Sequence, residues 1–366
     1  MNQLNDLIEA TTTRTNPGID PSLHVWGWEI VAYLFLGGLV AGIFVLAAAL
    51  ELRSGEKPRG DALRLMPFAA LALLSVGMGA LWLDLAHRLW AWRFYLFFHA
   101  TSPMSWGAWI LVLIYPVGLL LGLGSLGETQ RAWLRGKTPG ALSGLLETLF
   151  GLADRWRRGI LLTSVGMGIA LGIYTGLLLG TMPSRILWNS AVLGPLFLAS
   201  GISTGAALLL LLPLEEGDRK TLVRWDALAI VAELVLIALM LLGFATAGET
   251  GQWAASQFLG GPYTAVFFSC VVVLGLLVPL AMEAAEAKRH LPFAPMLPVL
   301  ILAGGLALRW ILLTAGQHSA FRFLPLRGER DAAPRRTPLL EPLHRRLRAR
   351  PRPPRLVPRH GLRARL

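Results

Sequence analysis

Two ionisable residues stand where only apolar ones are expected. Glu233 lies within VAELVLIALM and Arg309 within LALRWILL. A charge near the centre of a bilayer costs about 3 kcal/mol or more, so such residues mark either a proton or substrate route or a pair that glues helices together. A second group is spaced to share helix faces near the ends of apolar runs. Glu29 and Tyr33 are four apart, and WLDLAHRLW places Asp84, His87 and Arg88 on one expected face. A carboxylate, a titratable imidazole and a fixed cation gathered at a membrane surface have the chemistry to exchange protons with a small apolar carrier. His99 and SPMSWGAW at 102–109, with Trp106, follow closely. For most of the tryptophans here, an interfacial belt is the simpler reading.

Other chemistries are excluded by what the residues cannot do. Bis-histidine haem ligation needs histidines well inside the spans, whereas His24, His87, His99, His290, His318, His344 and His360 fall at helix ends, in loops or in the C-terminal segment. The single Cys270 cannot build a disulfide, a zinc site or a cysteine-ligated iron–sulfur cluster. No phosphate-cradling Gly-rich Lys-Ser/Thr motif is present. A redox cluster, if one is needed, comes from a partner.

The elements that position these residues are set by composition. The chain has 366 residues, is 54% hydrophobic and 15% charged, and has a mean hydropathy of +0.56, so it is read as an all-α integral membrane protein. Eight stretches are long enough to cross a bilayer: 28–50, 62–83, 104–125, 159–180, 187–212, 224–246, 261–283 and 295–316. SVGMG occurs at 75–79 and again at 164–168, which hints at two four-helix groups. Gly168, Gly172, Gly176 and Gly180 line one face of span four, and Gly38 and Gly42 one face of span one, as close-packed membrane helices require. Leu142, Leu145, Leu146, Leu149, Phe150, Ala153 and Trp156 recur at helical spacing and predict an amphipathic helix lying in the cytoplasmic interface.

Residues 1–22 are expected to form a polar N-terminal arm with no cleaved signal peptide, and 23–321 the membrane domain. The formal charge of +12 sits almost entirely in 322–366, which holds 14 Arg and three acids, so nucleic acid is not an expected partner. This segment is expected to be a disordered extension or a non-native reading frame. Elsewhere, 15 Lys and Arg fall in the odd-numbered loops and four in the N-terminal arm and even-numbered loops. That asymmetry puts the odd loops in the cytoplasm and both termini outside.

Several segments together resemble the NrfD-like membrane subunits of polysulfide reductase, formate-dependent nitrite reductase and related quinone-linked complexes. They are WGWEIVAYLFLGGLVAG at 26–42, DLAHR at 84–88, SPMSWGAW at 102–109, GIYTGLLLGTMPSRILWN at 172–189, LFLASGISTGAALLLL at 196–211, GGPYTAVFF at 260–268 and LAGGLALRWILLTAGQ at 302–317. The resemblance implies an eight-helix, haem-free subunit of a bacterial or archaeal cytoplasmic membrane that binds menaquinone or ubiquinone. It also implies docking, on the outer face, to a ferredoxin-like subunit with four iron–sulfur clusters, and through it to a molybdenum or multihaem catalytic subunit. Glu29, Tyr33, Asp84, His87, Arg88 and Trp106 then form the quinone site, with Tyr33 and His87 as hydrogen-bond partners, Glu29 and Asp84 as proton acceptors and Arg88 orienting a carboxylate. Glu233 and Arg309 fall on a proton pathway. The lone chain is not expected to turn over. Two rival readings remain at this point, a secondary transporter with a midplane ion site and a passive anchor of a redox complex.

A reporter fused within 214–222 should read as cytoplasmic and one within 248–258 as external. The reverse pattern would place the Asp84 cluster on the cytoplasmic side.

Overall fold

The computed structural model describes residues 26–319 apart from 59, 86, 183–184, 290–295 and 318. The N-terminal arm, His24 and the Arg-rich 322–366 segment lie outside the described residues.

Among the described residues, eight helices are long and apolar enough to cross a membrane, as the sequence predicts. They are α1 (Trp28–Ser54), α2 (Asp61–Asp84), α3 (Pro103–Ser125), α6 (Arg157–Gly180), α7 (Leu193–Leu210), α8 (Glu216–Thr246), α10 (Thr264–Glu286) and α11 (Met296–Gln317). Three shorter α-helices, α4 (Glu128–Lys137), α5 (Gly140–Arg155) and α9 (Glu249–Ser256), and the 3₁₀ segment Arg88–Tyr95 complete the described set. The spans pack as two four-helix groups, α1-α2-α3-α6 and α7-α8-α10-α11, joined where α1 and α6 meet α7.

Glycine sets that junction. A Cβ on Gly205 would fall 2.7 Å from the Gly42 carbonyl carbon, and one on Gly201 would fall 2.6 Å from the Gly38 carbonyl oxygen. In lipid, where tails are as apolar as leucine, such backbone proximity supplies the packing that water-driven burial supplies elsewhere. The glycines of α6 serve the same end: Gly168 lies against α1, and Gly172 and Gly176 against α7.

Three boundaries differ from the sequence reading, each for a local reason. Residues 187–192 are turn rather than span, because Ser190 takes up local turn bonds: its N–H donates to the Trp188 carbonyl, and its Oγ accepts from the Val192 N–H. Span six begins eight residues earlier, at Glu216, with Glu216 and Asp218 in the first turn of α8 complementing its dipole. Span seven is π-helical over Phe267–Leu277, and its Gly275 packs against Gly304 of α11. Close packing of this kind is compatible with the wider turn, and periodicity alone does not announce it.

The segment between α3 and α6 is a helical hairpin, α4 and α5, rather than one helix. Phe150 and Ala153 bury against α3. Beneath it, Arg131 donates to Asp154 at 2.7 and 2.8 Å, and Lys57 reaches the same carboxylate at 3.2 Å. These partners, Arg131 first, hold the Asp154 carboxyl down to about 2. Their stabilising effect is therefore complete above the ordinary carboxyl range and is lost progressively as pH falls from that range through about 2. Arg157 pairs with buried Glu51 and also donates to Ser125, tying α6 to α1 and α3.

Candidate functional site

Arg309, the sequence's deepest cation, is fully buried on α11. Its Nε donates to the Leu34 carbonyl at 3.1 Å, and its Nη1 to Ser200 Oγ at 3.1 Å and the Gly305 carbonyl at 2.9 Å. Nη2 reaches the Phe197 carbonyl at 3.5 Å. The rings of Phe35 and Phe197 stand 5.7 and 5.4 Å from the guanidinium carbon. Gly38 leaves the guanidinium its space, because a Cβ there would collide with it. Helices α1, α7 and α11 thus meet around one cation.

Glu233 of α8 neighbours Ser200 and Arg309, so the two charges that the sequence singled out are brought together around a serine. The polar residues continue along the bundle. Asp226 lies seven residues before Glu233 on the same face of α8, about 10 Å away along the axis. It is fully buried, and its Oδ1 accepts from Ser203 Oγ at 2.7 Å. Among the described residues its Oδ2 finds no donor, and neither does Oε2 of the neighbouring buried Glu283 on α10. Neighbouring buried carboxyls that lack a donor are satisfied when a proton is shared between them. The column Glu283–Asp226–Ser203 and Glu233–Ser200–Arg309 therefore runs from the basic-loop end toward the backbone of Leu34.

Next to Leu34, Tyr33 opens onto the second feature, an apolar cavity of about 150 Å³ at the tryptophan-rich end. Its walls come from α1, α2, α3, α6 and the 3₁₀ segment Arg88–Tyr95. Met78, Leu81, Leu85, Phe94, Met104 and Leu111 make it greasy, and Tyr33, Tyr95 and Tyr174 give it three hydroxyls. None of these phenols has a hydrogen-bond partner among the described residues. Burial, then the nearby Tyr115, raises the Tyr95 phenol above its ordinary value, so it remains a donor at neutral pH. Tyr174 also lines a second cavity of about 520 Å³ with Trp106, Asn189 and Ser190. Its ring packs onto Gly107, where a Cβ would collide with it.

Of the residues expected to gather here, Tyr33 lines the first cavity and Trp106 the second. Trp106 Nε1 donates to the Ala100 carbonyl at 2.9 Å, fixing the ring. Glu29 lies one turn from Tyr33, half-buried in the first turn of α1. The shared face of Asp84, His87 and Arg88 does not form. Helix α2 stops at Asp84, Leu85 is extended, and His87 and Arg88 are exposed. Arg88 turns back to donate to the Leu83 carbonyl at 2.5 Å and stacks over Trp82 at 5.7 Å. The helix gives way because the chain must turn into a 3₁₀ segment that begins at Arg88. Asp84 stays between the cavity-lining Trp82 and Leu85.

Sequence reasoning missed Tyr95, Tyr174, Ser200, Ser203, Asp226 and Glu283. Asp226 and Glu283 fell at expected span ends, where a carboxylate is unremarked. The seven-residue interval from Asp226 to Glu233 was the available signal.

A family model described as "Polysulphide reductase, NrfD" matches residues 15–320. A polysulfide reductase chain of Wolinella succinogenes is 31% identical over 307 residues, covering 80% of this chain and 94% of that protein. The NrfD protein of Escherichia coli is 31% identical over 315 residues, covering 80% and 95%. A selenate reductase subunit of Mesobacillus selenatarsenatis is 25% identical over 319 residues, covering 80% and 74%.

Gly38→Ala should destabilise the protein in detergent by about 1–3 kcal/mol, because the new methyl displaces a guanidinium with no other room. Gly37→Ala, whose Cβ would meet only a Thr175 methyl at 3.6 Å, should be neutral or slightly stabilising. Equal thermal midpoints for the two variants would contradict the packing described around Arg309.

Proposed function

Because the chain belongs to the NrfD (polysulphide reductase) family, we propose that this multi-pass membrane protein is the quinone-reactive subunit of a multisubunit respiratory oxidoreductase. The observation that carries the reading is the apolar cavity with three phenol hydroxyls that lack hydrogen-bond partners among the described residues. A quinone head group is a flat ring with two carbonyl acceptors, and such a lining fits it. Bound quinone supplies the two-electron, two-proton chemistry, and the protein supplies binding, orientation and proton handling.

Tyr33 and Tyr174, from α1 and α6, are the direct donors, with Tyr95 closing the 3₁₀ side and Trp106 walling the adjoining cavity. Met78, Leu81 and Leu111 exclude water, which strengthens each hydrogen bond made inside. Glu29 and Asp84, at the rim, exchange protons with the outer surface. His87 and Arg88, exposed beyond the end of α2, take lesser parts. Arg88 fixes the turn that places the 3₁₀ segment over the cavity.

The buried column gives this subunit a second capacity. Asp226 and Glu283 hold a proton between their facing oxygens, and Glu233 can receive it two helical turns further in. Ser200 links that carboxyl to Arg309, whose Nε is bonded to the residue after Tyr33. Protons taken up at the basic-loop end thereby approach the cavity. The partners of this reading are a ferredoxin-like four-cluster iron–sulfur subunit at the tryptophan-rich end and a catalytic molybdenum or multihaem subunit beyond it. The membrane is the bacterial or archaeal cytoplasmic membrane, with both termini outside. Relatives named for polysulfide and selenate reduction support a redox complex over a transporter.

Two outcomes test the proposal. Tyr33→Phe combined with Tyr174→Phe should leave complex yield intact and weaken quinone binding about tenfold, the loss of two neutral hydrogen bonds. Unchanged quinone content after extraction would remove the cavity from the site. Glu233→Gln should preserve quinone content but slow turnover and abolish proton uptake from the basic-loop side of sealed vesicles, since glutamine keeps the shape and loses the titratable group. Wild-type proton stoichiometry would reduce Glu233 to helix packing.

A further inference from the structure

The hairpin α4–α5 carries a surface that the proposed redox role does not use. Its acids are consumed internally. Asp154 is taken by Arg131 and Lys57, and Glu147 by Arg135 at 2.7 Å, with Glu128 also near Arg135. What remains is one-signed: Lys137 and Arg155 of the hairpin, and Arg158 at the adjoining start of α6, are exposed and have no ion pair or hydrogen bond to any described residue. Beside them lies apolar surface that the fold leaves open. Leu145 and Leu152 form one stripe of α5, turned away from the Phe150–Ala153 face that is buried against α3, and Leu142 is exposed in its first turn. Leu145 is 59% exposed, and Trp156, at the end of the stripe, is 60% exposed. Trp133 on α4 is 64% exposed. Arg155 lies on the flank of the stripe, three residues after Leu152.

Water is a poor partner for that stripe, and a soluble acidic protein would have no need of leucines set immediately beside the end of a membrane span. The combination of leucine stripe, flanking cations and interfacial tryptophan is what a helix lying at the lipid boundary presents, with its apolar side among acyl chains and its cations among phosphates. We propose that the hairpin is a binding surface for anionic phospholipid: Leu142, Leu145 and Leu152 enter the acyl boundary while Lys137, Arg155 and Arg158 hold the phosphate headgroups. Each such cation favours binding to a whole anionic leaflet by about fivefold, and the preference read over the full shell of boundary lipid is smaller. Because Asp154 and Arg131 pin the hairpin to the bundle, lipid captured there also pins the bundle's depth in the membrane.

The test uses the full chain reconstituted in phosphatidylcholine vesicles with trace spin-labelled phosphatidylglycerol or phosphatidylcholine. At low salt the protein should retain the anionic lipid about threefold over the zwitterionic one. Lys137→Gln/Arg155→Gln/Arg158→Gln should bring this ratio close to one, and Lys220→Gln/Arg224→Gln, at the same end of the bundle, should leave it near threefold. An unchanged ratio in the triple variant, or an equal fall in the control pair, would overturn the proposal. In a Cys270→Ser background, Leu145→Cys should react with a water-soluble maleimide at least tenfold more slowly in vesicles than Gly217→Cys, which sits at the same end. Equal rates would mean that the stripe is open to water and free for a soluble partner.

Discussion

A fully buried guanidinium is the constraint around which the membrane bundle is organised. Arg309 cannot be left in hydrocarbon without acceptors, so the surrounding helices supply them: the Leu34 and Phe197 carbonyls, Ser200 and the Gly305 carbonyl. That requirement explains why Gly38 has no side chain, why Ser200 sits inside an apolar helix, and why α1, α7 and α11 converge at one depth. It also explains Glu233, which offsets the charge from α8. An apolar residue at position 309 would make a simpler fold. The cost of retaining arginine is sensible when the same groups also handle protons.

The two halves of the proposed function meet at a single backbone step. Leu34 accepts from Arg309, and Tyr33, one residue before it, faces the phenol-lined cavity. The four-helix group α1-α2-α3-α6 builds the cavity, and the group α7-α8-α10-α11 builds the acidic column. The glycine-lined crossing of α1 and α7 holds them in register. A change in cavity occupancy felt by α1 would therefore reach the Arg309 site through a helix only one residue further on, and no moving domain is required.

The fold was largely legible because apolar length is a one-dimensional signal. Eight spans, the glycine faces and the amphipathic 140–155 segment all follow from period and composition. Glu233 and Arg309 were legible for the same reason, as charges interrupting apolar runs. Asp226 and Glu283 were not, since a carboxylate near a span end has a bland explanation until packing buries it. The Asp84–His87–Arg88 face failed because helical spacing was extended past the point where α2 ends. Tyr95 and Tyr174 reach the same cavity from a 3₁₀ segment and a different span, a convergence that no local spacing encodes. The π-helical stretch of α10 was invisible because its residues, FFSCVVVLGLL, suit an α-helix equally well.

The proposed site holds quinone between α1 and α6 at the three phenols. A photoactivatable quinone, irradiated with the purified complex and mapped by peptide mass spectrometry, addresses it without relying on turnover. Labelling should concentrate on peptides containing Tyr33, Tyr95 and Tyr174 and be displaced by excess unmodified quinone. Displaceable labelling confined to α8, α10 or α11, with none on those peptides, would contradict the account.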